Sequence, residues 1–470
     1  MPLPPDFSVD VTGAVLGRGR VLGGVPRVLV KADRHALEEL AAGVPAARHG
    51  ALARLLLRTG LAAPRPASTP WTLDDVTGVI PVKDDAARLP LALAALQGVA
   101  EVVVVDDGSS DGTGDVARAA GARVLRHDVA QGPAAARNAG LAAARTPLVV
   151  MVDADTTAEP GWIEGLLRAL ADPEVLLAAP RVLGLDRTGG SLVERYERVQ
   201  SPLDQGPDSG LVGPGRSRSF VPAAALLARR EELLALGGFD ASLHFGEDVE
   251  LCARASAAGW LLRYEADVVL RHDHRSSWRS FVKRRYQYGG AGARLGRKHA
   301  ELVPPASVGG FVAAGLLVAA APRRWAVLGA ALAAGLSSAR AAGLMLVAGV
   351  PPQAALRTAV KDDVSAARRF VGTATRYTGL PLTAALAVRS RRARALLLLG
   401  SVGLHLKDHK RLQPEMGPLP FLALRVLDEG SLGVGLWQSC LRARSFGAVP
   451  PQLGLMPRRG EDGVALVWEL

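Results

Sequence analysis

The run Val102–Thr113, VVVVDDGSSDGT, constrains the fold of this chain more than any other stretch. Four consecutive valines are too short for a helix and too β-branched to favour one. They read as a strand buried on both faces, the kind found inside a parallel sheet. The strand ends in Asp106 and Asp107, and Gly108-Ser109-Ser110 then turns into a helix that Ser110 or Asp111 can cap. Open α/β sheets hold ligands outside the carboxyl ends of their strands, where these aspartates fall. An isolated DDGS is as readily a solvated turn. The flanking segments decide between the two.

Thr77–Val82 (TGVIPV) reads as a first strand with Pro81 near its end, followed by Lys83-Asp84-Asp85. Leu89–Leu96 has helical spacing, and Ala122–Arg126 is a third strand after a helix over Asp111–Gly121. Strands and helices alternating through short connections predict an α/β fold with a doubly wound, mostly parallel sheet. No GxGxxG follows the first strand, which argues against a dinucleotide fold.

Three further clusters bear chemistry. Gln131–Leu141 (QGPAAARNAGL) opens a helix with Arg137 and Asn138 near its start, either an anion site or an exposed arginine on an Ala-rich helix. Leu148–Val152 is a second buried strand, ending in Asp153-Ala154-Asp155. Side chains at i and i+2 share a side, so the two carboxylates can hold a divalent cation that bridges a nucleotide diphosphate. In Phe239–Trp260, Glu247 and Asp248 stand at a helix start, where negative charge is favoured in any case. As chemistry, Asp248 can accept a proton from an attacking hydroxyl. Ala266–Leu270 is a last strand, and either histidine of His272-Asp273-His274 can complete the cation site, unless this is a solvated loop.

Around this core the chain is less explicit. A length of 470 residues suggests roughly two to four domains. Two cysteines, Cys252 and Cys440, make no disulfide framework and suit a reducing cytoplasm. Met1–Asp10 has neither the basic start nor the apolar core of a signal peptide. The net charge of +11 points to an anionic partner, but the arginines are scattered without interleaved aromatics, which argues against nucleic acid. Residues 1–66 read as a small module: a hairpin over Arg20–Lys31, helices at Leu37/Leu40 and Leu52/Leu55/Leu56, and Gly60 closing the second. Ala63–Pro70, with Pro64, Pro66 and Pro70, reads as a linker, and 67–76 leads into the sheet domain at 77–300. Residues 301–395 form an apolar, Ala-rich helical region and 396–470 a C-terminal region. Val308–Ala321 and Trp325–Ala339 are each shorter than the about 20 residues a membrane span needs. An interfacial or re-entrant pair, or plain core helices, fits them better, with basic side chains meeting anionic lipid at the inner face of the cell membrane.

Taken together and in order, VIPVKDD, VVVVDDGSSDGT, GPAAARNAG, the DAD triplet, GEDVELCARASAAGW and HDH resemble the family 2 glycosyltransferases of the inverting, metal-dependent type, over about 77–290. The resemblance implies a GT-A fold. It implies that Pro81, Asp106, Asp107, Arg137 and Asp153 bind the nucleotide sugar. Asp155, with His272 or His274, would hold Mg2+ or Mn2+; Asp248 would be the base, with Glu247 supporting it. No QxxRW follows the Glu-Asp pair, Arg284-Arg285-Tyr286 being the nearest aromatic-basic stretch, which argues against a membrane-channel processive synthase. The hairpin-plus-helices start is similar to the winged-helix peptide-recognition domains of ribosomal-peptide modification systems, which take up a peptide as an added strand. A free hairpin edge over Val21–Val30 is the corresponding expectation. With the ending SLGVGLWQSCLRARSFGAVPPQL, the whole order is similar to the mycofactocin-system glycosyltransferases of actinobacteria. That implies transfer of glucose from UDP-glucose to a peptide-derived redox-cofactor precursor, pre-mycofactocin, building a β-1,4 glucan. The rivals are a cell-wall or polysaccharide transferase acting on a lipid-linked acceptor, and a catalytically silent nucleotide-sugar-binding scaffold.

Overall fold

The valine run forms a buried strand, second from one edge of the central sheet. The computed structural model describes residues 2–12, 14–16, 20–23, 27–185, 189–273, 277–299, 307–309, 314–315, 318, 325–347, 350–376, 388, 391–446, 452–454 and 464–468. They fall into two units. One comprises Met1–Thr12, His35–Gly189 and Glu197–Arg275, the other Gly13–Arg34, Gly190–Tyr196 and Ser276–Leu470.

Of the N-terminal strands, β1 (Phe7–Val11) lies in the first unit, whereas β2 (Ala14–Leu16), β3 (Arg20–Gly23) and β4 (Arg27–Lys31) lie in the second. β5 (Ala62–Pro66) pairs antiparallel with β1, from Phe7↔Pro66 to Val11↔Ala62. The stretch expected as a linker is therefore partly strand. Its prolines are tolerated because a two-stranded ribbon is all edge.

The central sheet of the first unit has nine strands: β6 (Val76–Val82), β7 (Glu101–Asp106), β8 (Arg123–Arg126), β9 (Leu148–Val152), β10 (Thr156–Ala158), β11 (Val175–Gly184), β12 (Gly210–Val212), β13 (Ala225–Arg229) and β14 (Leu261–His272). Their order is β10-β14-β11-β13-β9-β6-β7-β8, with β12 on the side of β14. The sheet is mixed: β9, β6, β7 and β8 run parallel, while β13 is antiparallel to both β9 and β11. Val103 and Val105 enter one layer of the core with Val79, Val149 and Met151. Val104 enters the other with Ile80, Val150 and Val152. Chain order reverses at β6, which has β7 and β8 on one side and β9 on the other. Ligands of open α/β sheets bind at such a point.

Two boundaries differ from the sequence reading. The third strand starts at Arg123, because the Ala122 amide still donates to Ala117 O in the preceding turn. The helix after the valine strand starts at Thr113, with Gly112 at φ +83° as its N-cap. Neither Ser110 nor Asp111 caps it. Asp111 instead accepts from the Ala86 and Thr113 amides, at 3.0 and 3.1 Å, and so ties the loop after β6 to the loop after β7.

Helices Arg34–Ala41 and Gly50–Thr59 form as expected, and Gly60, at φ +75°, ends the second. The second is held to the body of the first unit by ion pairs that its sequence does not announce. Arg54 Nη1 donates to both Asp172 oxygens, at 2.7 and 2.9 Å, and Arg58 makes a bidentate pair with Glu174 at 2.8 Å. Asp172 is buried, so removing its charge leaves Arg54 poorly compensated. Asp172→Asn is expected to cost about 2–3 kcal/mol, seen as a lowered midpoint in a chemical melt. An unchanged midpoint would mean that the pair carries no net stability.

In the second unit the hairpin β3–β4 lies within a four-stranded sheet of order β17-β4-β3-β2, where β17 is Val464–Trp468. Both hairpin strands are thus covered, β4 by β17 of the same chain, and the expected free edge is not there. β15 (Ser307–Gly309) and β16 (Gln452–Gly454) pair parallel. Helices Trp278–Lys298 and Pro418–Ala443 cross at backbone contact: a Cβ on Gly289 would stand 1.9 Å from Leu432 O, and one on Gly435 would stand 2.0 Å from Tyr286 O. Asp428 accepts from Tyr196 Oη and Arg285 Nε at that crossing, both at 2.7 Å. Among the described residues, no helix is long and apolar enough to cross a membrane.

Candidate active site

Because β6, β7 and β9 run parallel, the acids that follow them emerge on one edge of the sheet. The adjacent aspartates ending the valine strand separate in role. Asp106 is fully buried; its carboxylate accepts from the Ser109 amide at 2.8 Å and pairs with Arg126. That carboxylate shapes the turn. Asp107 accepts from the Gln131 and Gly132 amides, both at 2.8 Å, and meets His127 Nδ1 at 2.7 Å. Burial pushes the Asp107 carboxyl up, but these amides and His127 outweigh it and hold it below its ordinary value. Pro81 is buried within β6, in register with Val105.

Arg137 is the hub. It is buried on the helix Pro133–Ala143, with its guanidinium over the Phe239 ring. Nη2 donates to Asp153 Oδ1 at 2.7 Å, and Nη1 donates to Glu247 Oε1 at 2.9 Å. Two clusters more than 90 residues apart in sequence therefore meet on one side chain. Asn138, next to it, exchanges hydrogen bonds with the Phe239 backbone at 2.7 and 2.8 Å and fixes the loop that leads to Glu247.

Asp248 follows Glu247 on the helix Glu247–Ala257, which starts from Gly246 at φ +81°. Its carboxylate accepts from the Val249 amide at 2.8 Å and, weakly, from the Ala223 amide at 3.4 Å. Burial first, and the neighbouring Glu247 charge second, push its pKa up to about 7. A carboxyl poised at neutrality is suited to proton transfer.

At the end of β9, Asp153, Asp155 and His272 each offer a ligand atom, all within 4.8 Å of one another. His272 arrives on β14, opposite Thr156 of β10, and its Nε2 lies 3.1 Å from Asp155 Oδ1. Two carboxylates and an imidazole on one side suit a divalent cation of the Mg2+ or Mn2+ kind. Burial pushes Asp155 up, but His272 and Arg88 hold it below its ordinary value. His272 is pushed down by burial and raised, on balance, by Asp155. His274, the other histidine named from the sequence, lies outside the described residues.

The sequence reading did not single out Arg88, His127 or Asp273. Arg88 pairs with Asp85 three residues earlier and reaches towards Asp155 and Asp273. The only local sign was an i, i+3 Asp–Arg pair at a helix start, an ordinary surface feature.

The mixed α/β sheet that presents these carboxylates at its strand-order reversal agrees with the GT-A fold of nucleotide-sugar transferases that the family resemblance implies. Residues 78–220 match the family described as glycosyl transferase family 2. The chain is 36% identical over 467 residues to the pre-mycofactocin glycosyltransferase of Mycobacterium tuberculosis, a match spanning 96% of this chain and 98% of that protein. Glycosyltransferase AglE of Haloferax volcanii is 28% identical over 229 residues, 46% of this chain and 73% of that one. Among solved structures, the mannosyltransferase PcManGT of Pyrobaculum calidifontis, in complex with GDP-Man and Mn2+, gives a TM-score of 0.37 at 20% identity, over 63% of this chain and 90% of that one. The chain belongs to the family 2 glycosyltransferases, in the group that contains the pre-mycofactocin glycosyltransferases. It is a hexosyltransferase.

Proposed function

We propose that this enzyme moves glucose from UDP-glucose to the peptide-derived precursor pre-mycofactocin, with inversion and with the help of Mg2+ or Mn2+, extending a β-1,4 glucan. The observation that carries the mechanism is the Asp153–Arg137–Glu247 bridge, which ties the candidate cation cluster to the helix bearing Asp248. Bound by Asp155 and His272 with Asp153 beside them, the cation would neutralise charge on the departing diphosphate.

The chain's own residues do the rest. Asp107, fixed by two amides and His127, faces the base and ribose of the donor, and buried Asp106 keeps its turn in shape. Arg137 holds Glu247 and Asp153 in one arrangement. Asp248 accepts the proton of the acceptor hydroxyl as that oxygen attacks from the face opposite the leaving group, which turns an α-linked donor into a β product. The pre-mycofactocin acceptor is supported by the identity along nearly the whole chain to a protein of that name, while the glucose donor rests on the family resemblance of the sequence.

The test is incubation with a panel of nucleotide sugars, with and without Mn2+, scoring UDP release and product mass. UDP release from UDP-glucose with transfer to the peptide-derived acceptor supports the reading. Transfer only to a lipid-linked acceptor would favour the polysaccharide alternative. A membrane face is proposed for the second unit, because Leu328, Leu332 and Leu336 stand exposed at i, i+4 and i+8 on the helix Ala326–Val347. Co-sedimentation with phosphatidylglycerol vesicles tests it.

A further inference from the structure

Arg88 stands at the edge of the candidate cation cluster with its guanidinium divided between two tasks. Nε and Nη2 grip Asp85, at 2.8 and 2.7 Å. The Asp85 amide in turn donates to Thr113 Oγ1 at 3.1 Å, so the loop that carries the pair is tied to the loop after β7. The grip fixes the plane of the guanidinium and leaves Nη1 directed at the cluster. There Nη1 lies 3.5 Å from Asp155 Oδ2 and 3.9 Å from Asp273 Oδ2, both longer than a hydrogen bond. The side chain is 39% exposed, so a ligand on the strand-end edge can reach it.

A guanidinium held by a carboxylate on one side, with N–H donors left on the other, is the arrangement that recognises a phosphate oxygen. The same charge also faces Asp155, a residue assigned to the cation, and therefore opposes cation binding electrostatically. We propose that Arg88 binds the diphosphate of the nucleotide donor through Nη1 and, when no donor is bound, lowers the affinity of the cluster for its divalent ion. The cluster would then fill best with ion and diphosphate together. This inference rests on the donor reading given above.

The two halves of the proposal predict opposite signs for one substitution, which a structural role would not produce. Arg88→Gln should bind Mn2+ alone about two- to fivefold tighter, the scale of losing a partly exposed opposing charge, read by electron paramagnetic resonance of free Mn2+. The same variant should bind UDP in saturating Mn2+ at least about tenfold more weakly by calorimetry, the scale of a charge-assisted hydrogen bond. Arg88→Lys, which keeps the charge without the fork, should return Mn2+ affinity to the wild-type value and recover part of the UDP affinity. Mn2+ affinity that is unchanged or weaker in Arg88→Gln, or UDP affinity that is unchanged, overturns the assignment of Arg88. If UDP fails to bind the wild-type protein in Mn2+, the donor reading itself falls and the Arg88 assignment falls with it.

Discussion

Asp155→Asn is expected to leave the protein folded and to reduce sugar transfer at least about a hundredfold, a scale that perturbing a metal site already reaches. The substitution is nearly isosteric and lies just beyond β9, so the sheet register should survive. The side-chain charge is what changes. Asp155 is held ionised by His272 and Arg88, and an amide in its place is a poor ligand for a hard divalent cation. Circular dichroism reports the fold, and UDP release with Mn2+ reports turnover. Substantial transfer by a folded Asp155→Asn protein would remove this residue from the cation site.

Asp248→Asn should separate binding from chemistry. Nucleotide-sugar affinity should stay within about threefold of wild type, because Arg137, Asp153 and Asp107 are untouched, while transfer falls at least about a hundredfold, the scale of a lost general base. The pH dependence gives a second readout. As the proposed base Asp248 would work ionised, and its pKa is pushed up to about 7, so kcat/KM should fall about tenfold per unit below pH 7 and level off above it. The stability term has the other sign. A carboxyl raised in the folded state binds more protons there than in the unfolded chain. Between about pH 7 and its ordinary value near 4, falling pH therefore strengthens this group's contribution to folding. Activity should decline on the acid side without a matching decline in melting temperature from this group. A donor affinity that collapses in Asp248→Asn would put Asp248 in the nucleotide site instead.

Much of this was legible in the sequence because it is local. The valine strand, the buried strand before Asp153 and the acids at the helix start after Gly246 each carry their own pattern of burial or capping. Their meeting at one edge follows from the parallel order that short strand–helix connections impose. What was not legible depends on segments distant in sequence. Asp106 and Asp107 are neighbours with the same chemistry, and only the positions of Arg126 and His127 on and just after β8 turn one into a turn support and leave the other at the edge. Arg88 has an unremarkable i, i+3 partner, and it reaches the candidate cation cluster only because β10 and β14 bring Asp155 and Asp273 beside it. The hairpin β3–β4 reads as having a free edge until β17, more than 400 residues later, covers it. Pro64 and Pro66 suggest a linker, yet a two-stranded ribbon accommodates them. The ion pairs of Arg54 and Arg58 likewise depend on partners more than 100 residues away.

The central claim, a cation-assisted displacement driven by a carboxylate base, is tested most directly by the anomeric configuration of the product. The wild-type enzyme would be incubated with UDP-α-glucose and the peptide-derived acceptor, in Mn2+ and in EDTA, and the new linkage read by proton NMR. A β linkage formed in Mn2+ and absent in EDTA is the predicted result. An α linkage, or equal transfer in EDTA, would contradict it.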